Sequence, residues 1–207
     1  MKGPLFYSKI LLFGEYGIIE DSKGLSIPYN FFNGALKISE SSDEEAKKSN
    51  LILSQFSAHL KTLDIDLDLN SFDNHIKKGM YFDSSIPKGY GVGSSGALVA
   101  AVYEKYANNK ITVLENLTRE KLLLLKEIFS KMESFFHGKS SGLDPLNSYL
   151  SIPILIKSKN DINVTGIPSQ KSNGSGAVFL LDSGQTGSTA PMVNIFMEKM
   201  KKEGFRN

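Results

Sequence analysis

Between Pro87 and Val102 the chain reads PKGYGVGSSGALVAAV, and this stretch restricts the fold more than any other. Glycines at alternate positions, Gly89, Gly91 and Gly93, permit backbone angles that a residue with a Cβ avoids, so the chain turns tightly there. Ser94 and Ser95 follow, and then small apolar residues with no breaker after Gly96, which predicts a helix from about Ser95 to Ala107. A glycine loop that opens a helix has two uses. It turns a corner, with Ser94 or Ser95 as an ordinary N-cap. Otherwise its backbone N–H groups and the positive end of the helix dipole cradle a phosphate. The loop does not close on Gly-Lys-Ser or Gly-Lys-Thr, which excludes a Walker loop. Gly91-x-Gly93-x-x-Gly96 has no acidic residue at a strand end about 20 positions on, which argues against a dinucleotide fingerprint. The loop alone does not choose between corner and cradle.

The remaining chain narrows the setting. Its 207 residues, 41% of them apolar, suffice to bury a full core. Its 24 basic and 22 acidic residues leave a net charge of +2, and the pairs Lys47-Lys48, Lys77-Lys78 and Lys201-Lys202 are scattered. No basic stripe interleaved with aromatics exists to follow a nucleic acid, so none is expected as partner. With no cysteine, disulfides, thiolate metal sites and thiol catalysis are excluded, and a cytoplasmic setting is expected. Lys9 and Glu15 interrupt the apolar N-terminus, so neither a signal peptide nor a membrane partner is expected.

Along the chain, LFYSKILLFGEYGIIE and GLSIPYNFFNGALKISE read as strands broken by turns. SSDEEAKKSNLILSQFSAHLKTLDI reads either as a helix capped near Ser41 or Ser42, or as a polar loop with a short helix from about Leu51. YFDSSIPKG reads as a strand ending at Pro87. TREKLLLLKEIFSKMESFFHG is the clearest helix, with Thr118 as cap and Gly138 as terminator. Strands are expected again between Ile152 and Leu181, above all in AVFLLDSG, and STAPMVNIFMEKMKKEGFRN reads as a closing helix. The predicted division is a first domain over 1–170 and the truncated beginning of a second over 171–207.

Glu133 and Asp144 flank ESFFHGKSSGLD, one at the end of a helix and the other in the following Gly-Pro turn. Two carboxylates facing one cleft suit phosphoryl transfer, one holding Mg²⁺ and the other beside the acceptor hydroxyl. Taken singly, Glu133 also fits a solvated helix face and Asp144 an N-cap. His137 lies in the same stretch, but with only His59 and His75 elsewhere and no paired-ligand spacing it is read as a structural, hydrogen-bonding histidine.

Taken together, KILLFGEYGII (Lys9 to Ile19), PKGYGVGSSGAL (Pro87 to Leu98) and ESFFHGKSSGLD (Glu133 to Asp144) resemble the ordered motifs of the GHMP small-molecule kinases, mevalonate kinases most of all. LLDSGQTGSTAPMV resembles the strand, loop and helix that begin the second domain of those kinases. The resemblance implies an α+β fold, a ribosomal protein S5 domain 2-like first domain followed by the start of a ferredoxin-like one. It implies an ATP- and Mg²⁺-dependent kinase acting on the primary hydroxyl of a small alcohol, mevalonate or another acceptor such as phosphomevalonate or a sugar, with a homodimer left open. A non-catalytic binding module is the alternative from another class. By the same resemblance Lys9 and Asp144 are catalytic; Gly91, Gly93, Ser94 and Ser95 surround the ATP phosphates; and Ser95 and Glu133 hold the metal. Lys9 and Asp144 are expected to face each other across the cleft. Gly14-Glu15-Tyr16 departs from the common Gly-Glu-His, which bears on the acceptor, and the family's third glycine-rich motif is absent from these 207 residues.

Overall fold

The computed structural model describes residues 4–38, 43–112, 117–166, 180–182, 184–187 and 189–206. A five-stranded sheet is organised around one long strand, β2 (Gly24–Ile38). One edge of β2 carries β1 (Phe6–Phe13). The other edge serves two partners: Gly24 to Ser26 pair with β4 (Ile154–Ser158), and Gly34 to Ile38 pair with β3 (Met80–Ser84). The strand β5 (Asp161–Val164) extends the sheet beyond β4, and all four pairings are antiparallel. An α+β architecture follows, as expected.

Five helices cover this sheet: α1 (Glu44–Leu60), α2 (Leu69–Lys77), α3 (Ser94–Tyr106), α4 (Arg119–His137) and α5 (Leu143–Leu150). The central one is α3, with nine of its 13 residues buried. Ala97, Ala100 and Ala101 keep its surface low, so that α5 and the strands β1 and β2 approach closely. Tyr103 of α3, Phe129 of α4 and Tyr149 of α5 meet edge to face, their ring centroids 5.1 to 5.5 Å apart. Edge-to-face pairs add about 1 kcal/mol each beyond area burial, so the three helices are locked to one another behind the glycine loop. Near the C-terminus lie α6 (Thr189–Met200) and the short α7 (Glu203–Arg206). Among the described residues no helix is long and apolar enough to cross a membrane.

Several local expectations need correction. The cap of α1 is Asp43, whose carboxylate accepts from the Glu45 N–H at 3.2 Å; a full charge at the positive helix end serves better than a hydroxyl. Ser41 and Ser42 lie outside the described residues. β3 stops at Ser84, short of Pro87, because the Ser84 hydroxyl accepts from the Ile86 N–H at 3.1 Å and bends the chain, burying Ile86. The cap position of α5 is Gly142, and Asp144 stands in the first turn, leaving its carboxylate free for other work. Half of AVFLLDSG and the expected domain boundary at residue 170 lie outside the described residues; Leu180 to Asp182 form no strand. Thr118 and Gly138 bound α4 as expected, with the Thr118 hydroxyl accepting from the Lys121 N–H at 3.3 Å.

Candidate active site

The site begins with an irregularity in β1. In a regular strand, neighbouring side chains face opposite sides, yet Ser8 and Lys9 are both buried, at 0% and 7% exposure. The register between β1 and β2 slips opposite Tyr7 and Ser8, where Asn30, Phe31 and Phe32 of β2 are left unpaired with β1, and at Ser8 and Lys9 both faces of β1 are covered, the Lys9 side by Asp144 of α5. Opposite Lys9 stands Pro28, which has no N–H to offer the ladder. The Lys9 N–H donates to the Val92 carbonyl at 3.0 Å, fastening the strand to the glycine loop.

From this buried start the Lys9 ammonium reaches Asp144, with Nζ 3.0 Å from Oδ1. The structure thus brings together two residues separated by most of the chain. Burial is the largest single influence on Lys9 and lowers its pKa. The charge and hydrogen bond of Asp144, joined by Glu15 and Glu133, outweigh burial and leave the ammonium above its ordinary value of 10.5. Lys9 is therefore a permanent cation at this spot.

Two glycines make the arrangement possible. Gly93, with φ +85°, is the cap residue of α3, and a Cβ there would stand 3.1 Å from Lys9 Cγ and 3.5 Å from its Cε. A Cβ at Gly96 would lie 2.7 Å from the backbone carbon of Asp144 and from the Pro145 nitrogen. Without it, the first turns of α3 and α5 close on each other. Two helix N-termini and a lysine then converge, an electropositive setting for an anion. No side chain caps α3, so the reading of Ser94 or Ser95 as an ordinary N-cap is set aside. Gly91 has φ +69° and open space where a Cβ would be, so the loop here presents bare backbone.

Ser95 turns the other way. Its hydroxyl lies 3.0 Å from Glu133 Oε1 and 3.0 Å from His137 Nε2. Glu133, 3% exposed, sits on α4 one turn before His137, so both reach the same point. Its second oxygen accepts from the Ser140 hydroxyl. Ser140 is itself held, its hydroxyl accepting from the Gly142 N–H at 3.0 Å and its carbonyl accepting from the Ser130 hydroxyl at 2.6 Å. Burial, and after it the charge of Asp144, pushes the Glu133 carboxyl up to about 7; the bonds from Ser140 and Ser95 and the charge of Lys9 pull the other way. A carboxylate kept this costly has room for a cation.

Among the described residues no group of three or more His, Cys, Asp or Glu side chains could by itself hold a metal ion. Mg²⁺ commonly takes one or two protein oxygens and fills its remaining positions with water and substrate phosphate. Glu133 and Ser95 could supply two such oxygens beside the helix end, so the donor set fits.

Sequence reasoning passed over Ser140 and kept His137 out of the site. For His137 a signal existed, its spacing of four residues from Glu133 on a clear helix; for Ser140 there was none. Two contacts also tie the C-terminal segment to the site. The Gly187 N–H donates to the Gly89 carbonyl at 3.0 Å, and the rings of Tyr16 and Phe196 lie 5.8 Å apart.

Residues 52–151 match the sequence model of the family described as GHMP kinases N terminal domain. Among curated proteins no sequence matches the chain. Among solved structures, L. major mevalonate kinase in complex with R-mevalonate is similar at TM-score 0.53 and 20% identity, covering 99% of this chain. The Methanococcus jannaschii mevalonate kinase gives TM-score 0.47 and 18% identity over 82% of this chain. The Staphylococcus aureus enzyme gives 0.43 and 20% over 77%. The chain spans 65%, 57% and 53% of those three proteins in turn. Over residues 52–151 the chain is thus similar in sequence to the GHMP kinase N-terminal domain, and it shares its fold with the L. major enzyme.

Proposed function

We propose that this chain carries the phosphate cradle and reacting pair of an ATP-dependent kinase that phosphorylates the primary hydroxyl of a mevalonate-like alcohol. The observation that supports it most is the 3.0 Å Lys9–Asp144 pair set against Gly93 at the start of α3. Gly91, Gly93, Ser94 and Ser95 offer backbone N–H groups to the nucleotide phosphates. Asp144 accepts the hydrogen bond of the acceptor hydroxyl and takes its proton. The acceptor oxygen forms its bond to the γ-phosphorus as the bond to the β,γ-bridging oxygen breaks, and ADP leaves. Lys9 holds the Asp144 carboxylate in place and offsets charge on the transferring group. Glu133 and Ser95 would hold Mg²⁺, which when bound neutralises charge on the β- and γ-phosphates. The lack of cysteine fits work in a reducing cytoplasm. A first domain over 1–170 with the opening of a second over 171–207 belongs to this proposal.

Mevalonate is the acceptor that the motifs favour, and the L. major neighbour is a mevalonate kinase in complex with R-mevalonate. Tyr16 favours a second reading within the same chemistry. A phenol at φ +59° stands where the motif commonly has histidine, so another acceptor such as phosphomevalonate or a sugar competes. A coupled ADP-release assay with mevalonate, phosphomevalonate and a hexose separates them. Turnover dependent on mevalonate, and product gaining one phosphate by mass spectrometry, is the expected result. A folded protein that neither binds Mg·ATP nor turns over any of the three would overturn the proposal.

A further inference from the structure

One proton decides how the cluster on α4 works. The Ser95 hydroxyl has a single hydrogen and lies 3.0 Å from both Glu133 Oε1 and His137 Nε2. An ionised carboxylate only accepts, so with Glu133 charged the hydroxyl hydrogen must go to it. His137 Nε2 must then donate. Two of the three histidine states carry a hydrogen on Nε2, the imidazolium and one neutral tautomer, so the requirement is easily met. Once Ser95 Oγ gives its hydrogen to Glu133 and receives one from His137, one lone pair is left.

We infer that His137 is a positioning residue for the cation site: while the Ser95 hydroxyl gives its hydrogen to Glu133, a bond from His137 Nε2 to Ser95 Oγ fixes the direction of the one lone pair left for a divalent cation. This rests on the proposed assignment of Ser95 and Glu133 to Mg²⁺. His137 is exposed, and its ring lies 6.4 Å from that of Phe136, so packing alone gives it little reason to hold Ser95. Without the donor, the Ser95 hydroxyl keeps its bond to Glu133 but loses the second tether that fixes where its lone pairs point, so the two ligands no longer present their oxygens in one geometry. Partners of this kind commonly set metal affinity by about tenfold or more.

The test measures Mn²⁺ binding in the presence of ADP by electron paramagnetic resonance, and ADP binding without metal by calorimetry, on the whole chain. His137→Leu removes the donor; His137→Gln keeps an N–H near the place of Nε2. Expected are about tenfold weaker Mn²⁺ binding for His137→Leu, recovery to within about threefold for His137→Gln, and metal-free ADP affinity unchanged in both. A His137→Leu chain that binds Mn²⁺ as the wild type does, while Glu133→Ala does not, overturns this inference and leaves the metal assignment standing. Equal weakening by Leu and Gln also overturns it. Wild type and Glu133→Ala binding Mn²⁺·ADP alike, or the wild type not binding it at all, would sink the assignment of Glu133 and this inference together.

Discussion

Glu133→Gln should make the metal-free protein more stable at neutral and alkaline pH. Burial lifts this carboxyl from its ordinary 4.5 to about 7, so the folded state prefers it protonated. The sign follows from linkage. Below the unfolded pKa both states carry the proton and there is no penalty. As pH rises through the window from 4.5 to about 7, the unfolded state ionises first, and above it the folded state bears the whole cost. At 1.36 kcal/mol per pH unit that cost is about 3 kcal/mol. Glutamine keeps an acceptor for the Ser95 hydroxyl, and its amide can donate to Ser140 Oγ. Urea unfolding near pH 5 and near pH 8, on both proteins without metal, is the assay. Wild type should lose roughly 2 kcal/mol more than the variant between those two conditions. Equal losses in the two proteins, or a variant less stable than wild type at the higher pH, would refute the reasoning.

Other perturbations separate the parts of the site. Asp144→Asn should lower turnover by at least about a hundredfold while ATP affinity by calorimetry moves little, because the lost group acts in the chemical step. Gly93→Ala meets both φ +85° and the Lys9 side chain at 3.1 Å, so urea unfolding should show a loss of about 1–2 kcal/mol, with nucleotide binding lost alongside. Gly96→Val places carbon against the Asp144 backbone at 2.7 Å; about 1–3 kcal/mol of overpacking should show in unfolding, and turnover should fall as α3 and α5 part.

What the sequence disclosed was mostly local. The glycine loop, the helix behind it and the Thr118 and Gly138 boundaries are written in neighbouring residues, and each was legible. The double partnering of β2 was not, since pairing depends on segments far apart in the chain and nothing in Gly24 to Ile38 names its partners. Lys9 looked like a charge in an apolar strand. That it is buried depends on distant partners, Val92 of the glycine loop and Asp144 of α5, which no residue pattern in YSKILLF announces. Its meeting with Asp144 was expected from the order of motifs, whereas the need for a position without Cβ at Gly96 shows only in the folded backbone. The Ser41 or Ser42 cap lost to Asp43 because several good capping residues stand in a row and only the chain's path selects one. His137 was passed over because an isolated histidine usually has structural work, although its spacing from Glu133 was there to read.

The measurement that bears most directly on the central claim is a crystal structure of this chain with Mg²⁺ and a non-hydrolysable ATP analogue. Density for the β- and γ-phosphates at the N-terminus of α3, with the cation on Glu133 and Ser95 and Lys9 Nζ within about 4 Å of the γ-phosphate oxygens, is the predicted result. A nucleotide bound elsewhere, or phosphates at the loop with the cation away from Glu133 and Lys9 turned from the γ-phosphate, would contradict it.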